Sequence, residues 1–288
     1  VGKSATSVKD EDFMEHLLVA STHSTILCFT NKGKVYWLKV FQIPVAGRNA
    51  RGRPVINLLP LEDGERINSI LPVDNYSEEH YVVMATANGT IKKTLLTQYS
   101  KPRKVGLRAV ELVDDDTLVG TAVVDGTKDI MLFSSEGKAV RFHEKDVRAM
   151  GRVSKGVRGM RLPPGHRVIS LVIPEPDGFL FTVSKNGFGK RTPTAEYPTK
   201  GRGGKGMKAM QASDRNGPLI GAAQIFSGEQ VILISDQGTM VRIPADQVSV
   251  VGRNTQGVIV MRLKASESLK SLARVAEPEE FNDEDSIS

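Results

Sequence analysis

Arginine and lysine recur beside glycine in five loops of this sequence. Four of the loops end in heptads that align with one another, at 46–52, 150–156, 200–206 and 251–257. The fifth loop is shorter and places Lys101, Arg103 and Lys104 before Gly106. Cationic side chains neutralise phosphates, and glycine lets a phosphate approach backbone N–H groups closely. The pattern favours a polyanionic ligand, although the glycines are explained equally well as residues of tight turns.

Arginine occupies the same place in all four heptads, so a repeated fold would space these cations regularly along one rim. Such a surface suits a bent DNA duplex that is recognised through its backbone and its deformability rather than through base edges. We therefore predict double-stranded DNA as the partner. The predicted contact residues are Arg48, Arg51, Arg53, Lys92, Lys93, Lys101, Arg103, Lys104, Arg141, Arg152, Lys155, Arg158, Lys190, Arg191, Lys200, Arg202, Lys205, Lys208, Arg242 and Arg253.

The distribution of charge supports the same partner. The 288-residue chain has a formal net charge of +6, but residues 277–288 contain six acidic residues and no lysine or arginine. The rest of the chain then has 39 basic residues against 27 acidic ones. A basic body with a short acidic tail indicates a polyanion partner. The simpler alternative is a solvated basic surface followed by a disordered end.

Signatures of enzymes and of metal sites are poor. The segment from Gly201 to Met207 resembles a phosphate loop, but no serine or threonine follows Lys205. The five histidines lack metal-ligand spacing, and Asp114 to Asp116 reads as a polar turn. The single Cys28 cannot form an internal disulfide. We expect no catalytic residue, no metal and no cofactor in this chain.

Two further classes of function are disfavoured. No apolar stretch approaches the roughly 18 residues of a membrane helix, and residues 1–5 are not followed by the apolar core of a signal peptide. We expect no membrane partner and a cytoplasmic, nucleoid-associated location. Tyr36, Trp37 and Phe41 could stack on bases, but they are not repeated, and single-strand binders use recurrent aromatic residues.

Glycine spacing reveals the elements that must position the basic loops. A first glycine recurs at 33, 89, 137, 187 and 238, and a second at 52, 106, 156, 206 and 257. Successive units are about 50 residues apart, a period typical of repeat architectures. Before each first glycine lies a short apolar run such as Ile130 to Phe133, which predicts a strand buried on both faces and a hairpin turn after it.

One more apolar segment precedes each unit, for example Ile67 to Leu71, so we count four strands per repeat. Four-stranded units of this length predict a propeller-like ring of blades. A surplus copy, Leu269 to Val275, follows the last unit, and Val1 to Ala5 aligns with the fourth strand of an earlier one. We expect these two end segments to lie side by side and close a sixth, incomplete blade. The predicted domain covers residues 1–276, and the acidic tail covers 277–288.

The repeats resemble, across essentially the whole chain, those of the C-terminal domains of the bacterial DNA gyrase A family. Lys200 to Gly206 is similar to the family's box, Gln-Arg-Arg-Gly-Gly-Lys-Gly, and matches its last five residues. Arg148 to Gly159 and Gly252 to Gly257 are similar to gyrase rather than to topoisomerase IV. In this family the best-formed box lies in the first blade, and Val1 to Ala5 resembles the sequence that follows it.

This resemblance implies an all-β, six-bladed β-pinwheel, a ring or shallow spiral in which neighbouring blades exchange a strand and the first blade is incomplete here. It also implies that DNA wraps around the outer rim, which lets gyrase introduce negative supercoils. The rest of gyrase A, together with gyrase B, would be partners, with strand cleavage and ATP binding located there, and the isolated domain is expected to be monomeric. Two alternatives remain open: a topoisomerase IV domain, and a propeller that binds protein partners on its flat face.

Overall fold

The computed structural model describes residues 21–43, 58–113 and 115–275. Within these ranges the chain forms strands and short 3-10 turns and no α-helix. The fold is all-β and propeller-like, built from small antiparallel sheets, as predicted.

Each repeat begins with a hairpin whose turn contains the first glycine. Its first strand is apolar and buried on both faces, as the sequence predicts. The five hairpins are β1 (Thr25–Thr30) with β2 (Lys34–Lys39), β4 (Tyr81–Thr86) with β5 (Thr90–Leu95), β8 (Asp129–Ser134) with β9 (Lys138–His143), β12 (Phe179–Ser184) with β13 (Phe188–Pro193), and β16 (Gln230–Ser235) with β17 (Met240–Pro244).

A third strand pairs with the free side of each apolar strand. These strands are β3 (Ile67–Val73) on β1, β7 (Leu118–Val124) on β4, β11 (Val168–Val172) on β8, β15 (Leu219–Ile225) on β12, and β19 (Leu269–Val275) on β16. Each strand therefore follows its hairpin in the chain, whereas we predicted that it precedes the hairpin it belongs to. Our prediction that Leu269–Val275 is a surplus strand was wrong for the same reason. This strand pairs with β16 and belongs to the fifth repeat.

A fourth strand comes from the following repeat. These two-residue strands are β6 (Leu107–Arg108) on β2, β10 (Val157–Arg158) on β5, β14 (Met207–Lys208) on β9, and β18 (Val258–Ile259) on β13. Each lies just after the second glycine of its own repeat and pairs with the hairpin of the repeat before it. The strand exchange implied by the family resemblance is thus present.

Five blades are found within the described ranges, where we predicted six. Four of the sheets have four strands, and the fifth has three, in the order β17-β16-β19. No described residue pairs with the outer edge of β17. Val1 to Ala5, which we expected beside Leu269–Val275, lies outside the described residues.

Two compact units divide the chain. The larger, His16–Pro174 with Tyr197–Ala209, contains the first three sheets, and the smaller contains the last two. In the larger unit, alternate residues of the apolar strands form cores between consecutive sheets, such as Leu27 and Phe29 against Val82 and Met84. In the smaller unit, Phe181 and Val183 pack with residues of β16 in the same way. Every apolar strand buries both faces, which anchors the outer strands and loops.

Candidate nucleic-acid interface

The exchanged strands of the larger unit place a cation at the outer edge of each sheet. Arg108, Arg158 and Lys208 occupy the second position of β6, β10 and β14, and all three side chains are exposed. In register they lie opposite Lys34, Thr90 and Lys138 of the neighbouring strands. Because these strands are the last in their sheets, the cations recur with the blade on its solvent-facing edge.

Basic loops lead into these strands. Lys101, Arg103, Lys104, Lys155, Lys200, Arg202 and Lys205 are exposed, and Arg152 is half-buried. Together with Arg108, Arg158 and Lys208 they form a surface that we call the basic edge. Lys155 faces one acidic neighbour, Glu111, across an exposed pair with 3.8 Å between Nζ and Oε1. Exposed pairs of this kind bind weakly, so Lys155 can exchange Glu111 for another anion.

Direct contacts join consecutive parts of the basic edge. Arg152 Nη1 donates to the carbonyl of Arg108 at 3.0 Å, and Arg202 Nη1 donates to the carbonyl of Arg158 at 2.5 Å. The backbone N–H of Arg161 also donates to the Gly204 carbonyl at 2.9 Å. Arg152 and Arg202 thus each hold the exchanged strand of the preceding repeat, which brings the cations of two repeats together. The recurrent arginine has a structural role that the sequence did not indicate.

Four predicted contact residues are instead buried. Lys92, Lys93, Lys190 and Arg191 expose only 1, 7, 0 and 9% of their surface. They lie on the second hairpin strand, which is enclosed between the apolar strand and the exchanged strand. Arg141 and Arg242 are partly buried on the equivalent strands, and their guanidinium groups bind Asp129 and Gln230. We therefore correct the prediction by removing these six strand residues from the basic edge.

One position of the second hairpin strand links each of the first four repeats to the next one. The residue four positions after the turn glycine donates a hydrogen bond to a main-chain carbonyl in or beside the 3-10 turn of the next repeat. The four bonds are Trp37 Nε1 to Tyr99 O at 2.8 Å, Lys93 Nζ to Glu144 O at 3.0 Å, Arg141 Nη1 to Tyr197 O at 3.1 Å, and Arg191 Nε to Val248 O at 2.7 Å. Trp37 therefore links two repeats through its indole N–H.

Arg108 was missed by the sequence analysis. It follows Gly106 by two residues, as Arg158 follows Gly156 and Lys208 follows Gly206, so the repeat alignment contained the signal. In the smaller unit, the matching residue is Ile259, and it is half exposed. Arg253 is half-buried there. Arg48, Arg51 and Arg53 lie outside the described residues.

The described part of the chain contains no group of three or more histidine, cysteine, aspartate or glutamate side chains placed to hold a metal ion. Burial raises the pKa of the Cys28 thiol to about 12, so this side chain behaves as a small apolar residue. In the same ranges, no helix is long and apolar enough to cross a membrane. The basic edge remains the candidate site that the described residues offer for a polyanion.

Comparison with known proteins is consistent with this geometry. A family described as "DNA gyrase C-terminal domain, beta-propeller" matches residues 24–74, 80–125, 128–175, 178–225 and 229–276. The DNA gyrase A subunits of Salmonella typhimurium and Escherichia coli are each 52% identical to this chain over 286 residues. The match covers 99% of this chain and 33% of each relative, so the chain spans about a third of their length.

Solved structures share the fold. A DNA gyrase A C-terminal domain superposes with a TM-score of 0.82 at 25% identity, covering 95% of this chain and 90% of that one. The C-terminal domain of a DNA topoisomerase IV reaches the same TM-score at 24% identity, covering 94% and 85%, which shows a common fold. The family model matches five repeats, and the gyrase A relatives share about 50% sequence identity with this chain. The chain therefore belongs to the family of DNA gyrase A C-terminal domains.

Proposed function

We propose that this domain binds duplex DNA along the basic edge, without sequence preference, and bends the duplex around the blades. The observation that carries the proposal is the recurrence of Arg108, Arg158 and Lys208 on three exchanged strands, each flanked by exposed loop cations. A cation that recurs with the blade meets a phosphate backbone at regular intervals. Binding of this kind is dominated by the release of counterions from the phosphates.

The elements that present these cations favour backbone recognition over base reading. Proteins that read base edges usually insert a helix or a ribbon into the major groove. The described ranges contain no α-helix, and the exchanged strands are two residues long. Contacts to phosphates fix the position of the duplex and carry no sequence information. Specificity would then come only from how easily a sequence bends.

The test compares two triple variants. Arg108→Gln/Arg158→Gln/Lys208→Gln removes the recurrent cations, and Arg66→Gln/Lys185→Gln/Lys264→Gln removes three exposed cations outside the basic loops and exchanged strands. Binding of random-sequence duplexes is titrated across salt concentration. Each lost phosphate contact should make the slope of log K against log salt shallower by about 0.9, so the first variant should lose up to about 2.7. An equal change in the control, or strong preference for one short sequence, would overturn the proposal.

We further propose that the domain is the DNA-wrapping module with which a gyrase introduces negative supercoils. The chain spans about a third of its gyrase relatives, so strand cleavage and ATP use are assigned to the rest of gyrase A and to gyrase B. Curated gyrase relatives at about half identity favour this role over topoisomerase IV. We place the protein in the bacterial cytoplasm on the nucleoid. Supercoiling by assembled gyrase should fall in the Arg108/Arg158/Lys208 variant while relaxation persists.

We also propose that the pinwheel has a sixth blade and that residues 1–276 act as one functional domain. In the four complete sheets the exchanged strand pairs with the second hairpin strand. A strand from a further repeat would accordingly pair with β17, and not with β19 as we first expected. Such pairing would complete the fifth sheet and extend the pinwheel by one blade.

A further inference from the structure

Two buried ammonium groups lie outside the basic edge and beneath two of the basic loops. Lys92 and Lys190 occupy the third position after the turn glycines of the second and fourth repeats. Both side chains are almost fully enclosed. Burying an ammonium is costly unless hydrogen-bond acceptors surround it. Their surroundings therefore decide what they do.

Main-chain oxygens of one loop surround Lys190. Its Nζ donates to the carbonyls of Gly252 at 2.7 Å, Arg253 at 2.5 Å and Thr255 at 3.1 Å, and it lies 3.1 Å from Thr255 Oγ1. These acceptors belong to the heptad 251–257 of the next repeat. The ammonium thus organises the loop that carries Arg253.

Lys92 makes the equivalent arrangement in the larger unit. Its Nζ donates to the Ala109 carbonyl at 2.6 Å and also to the Arg152 carbonyl. Arg152 lies in the heptad 150–156 of the next repeat, and its Nη1 donates a hydrogen bond to the Arg108 carbonyl at 3.0 Å. A single buried cation therefore joins the loop to the segment that follows exchanged strand β6.

Other repeats have no ammonium at this position. The third and fifth repeats carry Val140 and Val241, and the first carries Tyr36, whose hydroxyl donates to Glu65 at 2.7 Å. A valine in the same place is compatible with the repeat fold. The two lysines therefore have a role that the hairpin itself does not require.

We infer that Lys92 and Lys190 are positioning residues, whose ammonium groups hold the loops 150–156 and 251–257 in a fixed shape. In the first loop this shape presents Arg152 and Lys155 of the basic edge to DNA, and in the second it orients Arg253 beside that edge's equivalent position. The inference rests on the proposed function for its DNA readout, but the order of the loops is a property of the free protein. Carbonyls that turn inward to the ammonium fix the path of the loop backbone. Loss of the charge should loosen the loop without disturbing the strands.

The protonation of both lysines adds a pH dependence. Burial lowers the pKa of Lys92 to about 7, and the charge of Arg152 acts in the same direction. Burial likewise lowers the pKa of Lys190 to about 8, with Glu196 opposing and Arg253 adding to the shift. Tyr99, which shares the Ala109 carbonyl with Lys92, is the other titratable group beside it. In the free protein Lys92 should therefore be about half charged near pH 7, and both ammonium groups should be lost as the pH rises to about 9.

The first test measures amide hydrogen exchange in the full chain carrying Lys92→Val/Lys190→Val. Valine is chosen because the third and fifth repeats fold with it. The N–H groups of Ser154 and Val251, bonded to the Gly151 and Arg191 carbonyls, should exchange at least about tenfold faster. The N–H of Gly203, in a loop without a buried lysine, and those of β8 should not change. Unchanged loop amides, or equal acceleration in β8, would overturn the inference.

The second test measures DNA affinity between pH 7 and 9 at constant salt. Wild-type affinity should fall several-fold, because the loops lose their ammonium groups, and the double variant should bind more weakly at pH 7 and show a flat profile. The same pH dependence in both proteins would contradict a positioning role. Absence of DNA binding by the wild-type protein would defeat the proposed function alone, since the exchange experiment would still decide the order of the loops.

Discussion

At the scale of single residues, most charged side chains of the hairpin strands hold neighbouring repeats together. Lys93 donates to the Glu144 carbonyl at 3.0 Å, and its Nζ lies 3.6 Å from Glu144 Oε1. Glu144 is fully buried, and its other carboxylate oxygen accepts the N–H of Lys128 at 2.9 Å. Removing one partner of such a pair leaves a buried charge without compensation. The pair therefore couples the second and third repeats.

Lys93→Met should lower the free energy of unfolding by about 3–5 kcal/mol, the range for breaking a buried ion pair. Lys155→Met is the matched control, because it removes a lysine from the exposed pair with Glu111 and should cost less than about 1 kcal/mol. Urea unfolding of both variants measures the difference. The combination Lys93→Met/Glu144→Gln should recover part of the loss, and a cost equal to that of the control would contradict the role of Lys93.

At the scale of elements, the turn glycines join repeats as well as forming hairpins. Gly89 has a φ of +90°, and its carbonyl accepts the N–H groups of Gly159 and Met160 at 2.7 and 3.1 Å. A Cβ on Gly89 would lie 2.5 Å from the Met160 carbonyl oxygen. The glycine is thus required both by the turn and by the close approach of the chain that follows the exchanged strand.

Gly89→Ala should lower the free energy of unfolding by more than the cost of placing alanine at a positive φ, because its Cβ would also clash with the Met160 carbonyl. Gly126 provides the control, because its φ of +95° is equally unfavourable for alanine while a Cβ there would have no atom within 4 Å. Gly126→Ala should cost about 1–3 kcal/mol, the range for a non-glycine residue in this region, and Gly89→Ala should exceed it. Chemical denaturation compares the two, and equal costs would show that the close approach relaxes freely.

At the scale of the whole molecule, cations are distributed unevenly among the repeats. Segments 101–108 and 200–208 each contain four, segment 150–158 contains three, and segment 251–259 contains only Arg253. The acidic tail adds six negative charges at the end of the chain. A tethered polyanion competes with DNA at a high effective concentration. The tail is therefore expected to reduce DNA binding by the basic edge.

Deletion of residues 277–288 should tighten DNA binding, most clearly at low salt, where screening is weakest. A variant that keeps the length of the tail but replaces its six acids with the corresponding amides should behave like the deletion, because charge is the cause. Fluorescence anisotropy with a short duplex measures both. Unchanged affinity at low salt would leave the tail without an inhibitory role.

The outer edge of β17 is a second property of the whole chain. No described residue pairs with it, whereas β13 has its exchanged partner in β18. Unpaired strand edges exchange their amide hydrogens rapidly. Outward-facing amides of β17 other than that of Met240 should exchange faster than those of β13, and the amides of β8 should be among the most protected. Equal protection of β17 and β13 would mean that another segment covers this edge.

The amino-acid sequence was sufficient to establish the repeat, the apolar strands, the hairpin turns and the family. These features are local, because a strand such as Ile130 to Phe133 and its glycine turn are set by neighbouring residues. The same periodicity located the basic loops that form most of the basic edge. Arg108 was also within reach of the alignment, since it occupies the position of Arg158 and Lys208.

Long-range pairing, visible only in the folded chain, determines which sheet each strand joins and which cations face solvent. Leu269–Val275 reads equally well as the start of a sixth blade or as the end of the fifth, and its pairing with β16 made the choice. Lys92 and Lys104 are the same residue type, yet the first is buried against main-chain carbonyls and the second is exposed. Burial depends on the exchanged strand, which arrives from the next repeat, so local sequence could not reveal it.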